Sequence, residues 1–196
     1  MKKLFLTILF LHSIIGFSQN EKENEVLIKG IVLSEVNGNP LKNVFIMVNS
    51  TGGITNENGR FKLNYKPRKN DSLIKISFSD LGYKTVEKII DVRKVTEQNF
   101  DIVLKPRFGV NRQQALDHIK IGEINILLSG GIAPVIYQSD EKFSKKYKLK
   151  FVEFGCEAVS EESLYEYNKI VFEYLDKKYG KKWRKEIRED VIGLKK

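Results

Sequence analysis

The chain has 196 residues, 34 Lys and Arg against 25 Asp and Glu, a formal charge of +9 and a single cysteine, Cys156. That length suits one medium domain or two small ones, and a lone cysteine excludes an intramolecular disulfide, so stability has to come from apolar burial. With Lys2 and Lys3 set aside, the excess is spread over both halves (14 basic against 11 acidic residues over 19–105, 18 against 14 over 106–196), a moderate basicity that on its own is weak evidence for anionic envelope polymers or lipid headgroups as partners.

Residues 1–18, MKKLFLTILFLHSIIGFS, read as a signal peptide. Lys2 and Lys3 give a positive start, Leu4 to Phe17 an apolar stretch, and Gly16-Phe17-Ser18 a small-x-small cleavage pattern. The stretch is short of the roughly 20 apolar residues a membrane span needs. A mature chain starting near Gln19 is expected, exported to the periplasm, the outer membrane or the outside, with no transmembrane segment after cleavage. Nucleic acid is therefore not an expected partner.

From Glu25 the pattern is short β segments between turn residues. Val26–Leu33 is apolar and β-branched, and Asn37-Gly38-Asn39-Pro40 is turn chemistry. Val44, Ile46 and Val48 alternate with Phe45, Met47 and Asn49. Phe61, Leu63 and Tyr65 share one face of the next strand. Further strands are expected over Leu73–Phe78, Tyr83–Ile90 and Phe100–Leu104. Some seven strands with no helical period argue for a β-sandwich.

Between them lies TGGITNENGRF, residues 51–61. A phosphate loop needs Lys and a hydroxyl directly after its last glycine, but Gly59 is followed by Arg60 and Phe61. A calcium loop needs alternating oxygen ligands closed by a glutamate, and the twelfth position from Asn56 is Pro67. The remaining reading is a hairpin turning at Asn56–Gly59.

The order and spacing of I28-K-G-I-V, G38-N-P-L-K-N-V-F-I-M-V48, G53-I-T-N-E-N-G-R-F61 and F78-S-D-L-G-Y-K84 resemble the carboxypeptidase regulatory-like domain family, over about residues 25–105. The resemblance implies a transthyretin-like sandwich that is not itself catalytic. Its relatives are attached to peptidases or outer-membrane receptors, neither of which this chain carries. Asn56 stands where the family usually has Asp, which should affect only turn stability.

After Lys105-Pro106 the composition shifts, and residues 106–196 are expected to form a small, mostly helical region, making the whole α+β. Asn111–Ile119 has helical spacing with Ala115, Leu116 and Ile119 inward. Ile124–Leu128 is a short apolar run whose Ser129-Gly130-Gly131 lacks the GxGxxG of a dinucleotide site. Ser139 is placed as the cap of a helix through Tyr147, and Lys148–Phe154 alternates as a strand. Leu164, Tyr167, Val171, Tyr174 and Leu175 mark a long helix stopping at Gly180. A last helix is expected from Lys181 to Asp190. On it Lys181, Arg184, Lys185 and Arg188 share one face and Trp183, Ile187 and Val191 the other, making the four cations the candidate contact for an anionic partner. The tail resembles one that often follows this sandwich in exported bacterial proteins.

No cofactor and no metal are expected. After the leader, His118 and Cys156 are the only such pair, too few for a metal site, and Cys156 beside Phe154 reads as a buried thiol. Glu153, Glu157, Glu161 and Glu162 read as helix-start residues before they read as catalysts. The chain is thus expected to be a non-catalytic exported binding or accessory protein of the bacterial cell envelope, its partner an unknown protein or envelope polymer. The alternatives are an envelope-associated structural protein using the basic last helix, and an unrecognised hydrolase.

Overall fold

The computed structural model describes residues 25–133 and 135–194, so the expected signal peptide lies outside the described residues. Seven strands come first: β1 (Val26–Ser34), β2 (Phe45–Val48), β3 (Thr51–Ile54), β4 (Arg60–Tyr65), β5 (Leu73–Ser79), β6 (Val86–Asp91) and β7 (Glu97–Leu104). They form two sheets, ordered β4-β1-β7 and β3-β2-β5-β6. β1 runs antiparallel to β4, Val26 opposite Tyr65, and parallel to β7, Leu27 opposite Glu97. Gly30 lies so close to β7 that a Cβ there would sit 1.8 Å from the Phe100 carbonyl oxygen.

The alternation read from sequence sets the inward faces. Val26, Ile28, Val32, Val44, Ile46, Val48, Phe61, Leu63, Tyr65, Ile74, Ile76 and Phe78 are all buried in one core. Phe61 and Phe78 meet edge to face at 5.5 Å across it. Phe45, Met47, Ile54, Leu73 and Ile89 stand on the outer face.

One expectation fails here. β3 and β4 are consecutive but belong to different sheets, so the Asn56–Gly59 turn is an arch carrying the chain across the sandwich, not a hairpin within a sheet. The strand expected from Tyr83 begins at Val86 instead, because Tyr83 is taken up in an isolated bridge with Pro106.

The second core begins at Val110 and ends at Val191. Around it lie α1 (Arg112–Lys120), β8 (Asn125–Leu127), α2 (Asp140–Tyr147), β9 (Lys150–Val152), α3 (Glu161–Tyr179) and a 3-10 turn over Lys181–Lys185. β8 and β9 pair in parallel, with α2 in the connection. Asn168, buried on α3, completes the edge of β8. Its Oδ1 accepts from the Leu127 N–H at 2.9 Å, and its Nδ2 donates to the Leu127 carbonyl at 2.8 Å. Asn111 caps α1 by accepting from the Gln114 N–H.

Some local expectations change. Ala115 is buried on α1, but Leu116 is exposed. Ser139 precedes α2 in helical geometry and makes no capping bond. The last helix is not an α-helix through Asp190. After Gly180 the chain makes only the 3-10 turn, which swings Trp183 back onto α3. Trp183 packs 5.3 Å from the Phe172 ring, and its indole N–H donates to Asp176 at 3.0 Å.

Candidate functional site

Three loops meet at one end of the sandwich. In the β1–β2 loop the Asn37 side chain accepts from the Asn39 N–H at 2.9 Å, closing a turn that brings Pro40 into a bridge with Leu33. In the arch, Asn56 Oδ1 accepts from the N–H groups of Asn58 and Arg60, both at 3.0 Å. An amide oxygen therefore serves the turn as a carboxylate would. Buried Thr55 ties the two loops together, donating to the Leu41 carbonyl at 2.6 Å and accepting from the Val44 N–H at 2.9 Å.

The third loop, Asp80–Tyr83, faces the start of α3. Gly82 adopts φ +80°, and a Cβ on it would lie 2.3 Å from the Ser160 nitrogen, so the backbones of the two halves touch there. Tyr83 is buried, and its hydroxyl donates to Glu162 Oε2 at 2.7 Å while lying 3.0 Å from Ser34 Oγ. Burial, reinforced by the Glu162 carboxylate, raises the phenol well above its usual range. Burial and then the charge of Glu162 also raise the Asp80 carboxyl.

Between these loops and α3 lies a cleft of about 430 Å³, with Lys42, Glu57, Asp80, Tyr83, Glu161 and Glu162 among its walls. Lys42 and Glu57 pair across it at 3.3 Å. The cleft carries side chains of both charges, which suits the recognition of a polar partner segment.

The four cations singled out in the sequence are not brought to one face. Arg184 folds back on α3, its Nε and Nη2 donating to Asp176 at 3.0 and 2.9 Å and its guanidinium lying 4.9 Å from the Trp183 ring. The pair holds the Asp176 carboxyl below its usual range. Arg188 is an interior residue, its side chain only 3% exposed. It donates to Asp190 at 2.6 and 2.7 Å, to Asp140 at 3.0 Å and to the Val135 carbonyl at 2.9 Å. Lys181 and Lys185 remain on the surface. What the helical wheel missed is that the chain after Gly180 makes a 3-10 turn, to which the 100° step does not apply.

Cys156 is exposed on the turn after Gly155, not buried. His118 is engaged elsewhere, with Nδ1 2.7 Å from the Tyr167 hydroxyl. Among the described residues no three His, Cys, Asp or Glu side chains are grouped to hold a metal ion. Nor is any helix there long and apolar enough to cross a membrane. Sequence reasoning missed Ser34 and the pairing of Tyr83 with Glu162. Tyr83 did stand in the quoted Gly-Tyr segment, but nothing in the sequence links it to a residue 79 positions on.

No curated protein matches the chain. Among solved structures, catechol 1,2-dioxygenase from Acinetobacter sp. ADP1, inhibited by bound mercury, is 12% identical over 46% of this chain and 55% of its own, with a TM-score of 0.33. Catechol 1,2-dioxygenase from Pseudomonas arvilla C-1 is 13% identical over 45% and 54%, with a TM-score of 0.32. A 9R-lipoxygenase from Cyanothece PCC8801 is 19% identical over 46% and 18%, with a TM-score of 0.31. This chain thus spans little more than half of the dioxygenases it matches and less of the lipoxygenase, and likenesses at these scores say nothing of its chemistry. Residues 28–111, which span the sandwich, match the model of the CarboxypepD_reg-like domain, the family that the spacing of the glycine and aromatic segments resembles.

Proposed function

We propose that this chain is a non-catalytic, exported binding or accessory protein of the bacterial cell envelope that holds a partner at the loop end of its sandwich. The observation that carries this reading is the convergence of the Asn37–Pro40, Asn56–Gly59 and Asp80–Tyr83 loops with the start of α3 around one cleft. Loops held by a rigid sheet scaffold are where binding residues concentrate, and clefts between packed units are common ligand sites. The domain family supports an accessory role, being regulatory and not catalytic. Export is supported by the positive, apolar, small-residue order of residues 1–18.

The test is photocrosslinking in intact cells, with a benzophenone side chain placed at Lys42 or Glu57 on the loop end, or at Arg68 on the β4–β5 loop at the other end. A discrete adduct in the envelope fraction from the first two positions and not from Arg68 is the expected result. Equal adducts from both ends, or a product confined to the cytoplasm, would overturn the reading.

A further inference from the structure

Neither sheet of the sandwich closes on itself, which leaves four edge strands among the described residues, β3, β4, β6 and β7. An edge strand offers unpaired N–H and C=O groups to any other strand, and charged residues along it keep such strands away. β4 carries Arg60 and Lys62, β6 carries Glu87, Lys88 and Asp91, and β7 carries Glu97 and Asp101. β3, with the sequence Thr51-Gly52-Gly53-Ile54, carries no charge.

Which backbone groups β3 offers follows from its ladder. The Thr55 N–H, just past the strand, donates to the Val44 carbonyl ahead of β2 at 3.1 Å. Alternation then turns the groups of Thr51 and Gly53 towards β2 and those of Gly52 and Ile54 away from it. Gly52 and Ile54 are also the two exposed residues of the strand. On the outer face of the sheet Ile54 stands beside Phe45, and Gly52 beside Met47. Gly52 has no side chain, so Met47 leans over it, with Sδ and Cε each 3.5 Å from where a Cβ would be. A projecting residue and a notch thus lie two positions apart on one edge.

That alternation is complementary to itself. When β3 is laid antiparallel against a second β3 with Gly53 on the two-fold axis, Gly52 of each copy falls opposite Ile54 of the other. Every N–H and carbonyl that these two residues turn outward then finds a partner, as a two-fold contact requires. Each Ile54 fills the notch at Gly52 of the other copy and packs on its Met47, extending the apolar row begun by Phe45. The segment ahead of β1, Gln19–Asn24, holds no apolar residue to lay along this row, so it does not fit the same edge.

We propose that β3 pairs with β3 of a second copy of this chain, joining their two four-stranded sheets into one continuous sheet. A four-residue edge with three apolar side chains covers well under the ~800 Å² per partner of a stable interface. The dimer is therefore of the transient class, with a dissociation constant on the order of 100 µM. Antiparallel pairing points the loop ends of the two copies in opposite directions, and the inference does not rest on what the cleft there holds.

The test uses the chain from Gln19, which keeps every described residue, in sedimentation equilibrium and amide hydrogen exchange from about 10 µM to about 1 mM. The average mass should rise towards that of two copies across this range. The Gly52 and Ile54 amides should exchange about three- to fivefold more slowly at the top concentration, while the Gly53 amide, already turned to β2, stays unchanged. Ile54→Lys places a charge on the edge and should weaken association by about tenfold or more. Leu73→Lys, on the same outer face but on β5, should leave association unchanged. A chain that stays monomeric at the top concentration would overturn the proposal. So would a rising mass without slower exchange at Gly52 and Ile54. An equal loss from Leu73→Lys would overturn it too, since the sheets would then stack face to face. The exchange readout uses the unaltered chain, so it stands even where Ile54→Lys lowers stability.

Discussion

Arg188 and Lys185 look alike in sequence, three residues apart in a basic run, yet their environments set opposite expectations. Arg188 is enclosed and shared among Asp190, Asp140 and the Val135 carbonyl, while Lys185 is exposed. Removing one partner of an enclosed ion pair strands the others, at a cost of about 3–5 kcal/mol when all are buried. Asp190 keeps 42% of its side-chain exposure and can recover some hydration, so Arg188→Ala should cost nearer ~2–3 kcal/mol. Lys185→Ala should stay within about 0.5 kcal/mol. Urea midpoints for the two variants test the contrast, and equal midpoints would mean that Arg188 is not the interior residue it is here. The same pair sets a pH dependence. Arg188 holds the Asp190 carboxyl below its ordinary value. The stability this contributes is fully present above the ordinary carboxylate range and lost as pH falls through the lowered value. Arg188→Ala should therefore lose less stability on acidification than the parent.

The arch between β3 and β4 shows what an element can and cannot disclose. Turn chemistry at Asn56–Gly59 was legible because it is local: Gly59 sits at φ +66°, and Asn56 accepts two N–H groups within four residues. Alternation likewise disclosed which faces of β1, β2, β4 and β5 are buried. Which strand pairs with which was not legible, since a hairpin and an arch use the same turn residues. The choice is made by the distant partner of β4, which is β1, while β3 stays paired with its neighbour β2. The last helix failed for a related reason. Its apolar positions have helical spacing, but Trp183 and Arg184 are drawn to Asp176 on α3, and the chain tightens to reach it. Of the candidate site, the loops could be read and their convergence on α3 could not. A Cβ at Gly59 would lie 2.7 Å from the Val32 carbonyl oxygen in addition to the left-handed strain, so Gly59→Ala should cost about 2 kcal/mol or more. Asn56→Asp, which keeps the accepting oxygen, should be nearly neutral, and Asn56→Ala should cost about 1–2 kcal/mol. Denaturation curves of the three variants check that order.

At the scale of the whole molecule the two cores share no residue, one ending at Leu104 and the other starting at Val110. Their relative placement depends on the joint: Tyr83 bonded to Glu162, Gly82 against Ser160, and the Lys84–Lys105 and Gly82–Arg107 backbone bonds that tie the connecting segment to the sandwich. Such a joint is stiff only while its close contacts are kept, because the buried residues of the two halves form separate clusters and no shared core compensates for losing them. The cleft is walled by both halves, so its shape depends on the same contacts. Gly82→Val puts a branched side chain where the Ser160 backbone now lies, which the φ of +80° makes harder to absorb locally. The expected outcome is that the halves move apart while each stays folded. Core amides would keep their protection from hydrogen exchange, the scattering radius would grow, and photocrosslinking from Lys42 would fall. Tyr83→Phe is the milder comparison, since it keeps the ring but removes the bond to Glu162, which is worth about 1.5–3 kcal/mol for a charged acceptor. It should loosen the joint without wedging it. An unchanged scattering profile for Gly82→Val would show that the halves are held by something other than this contact.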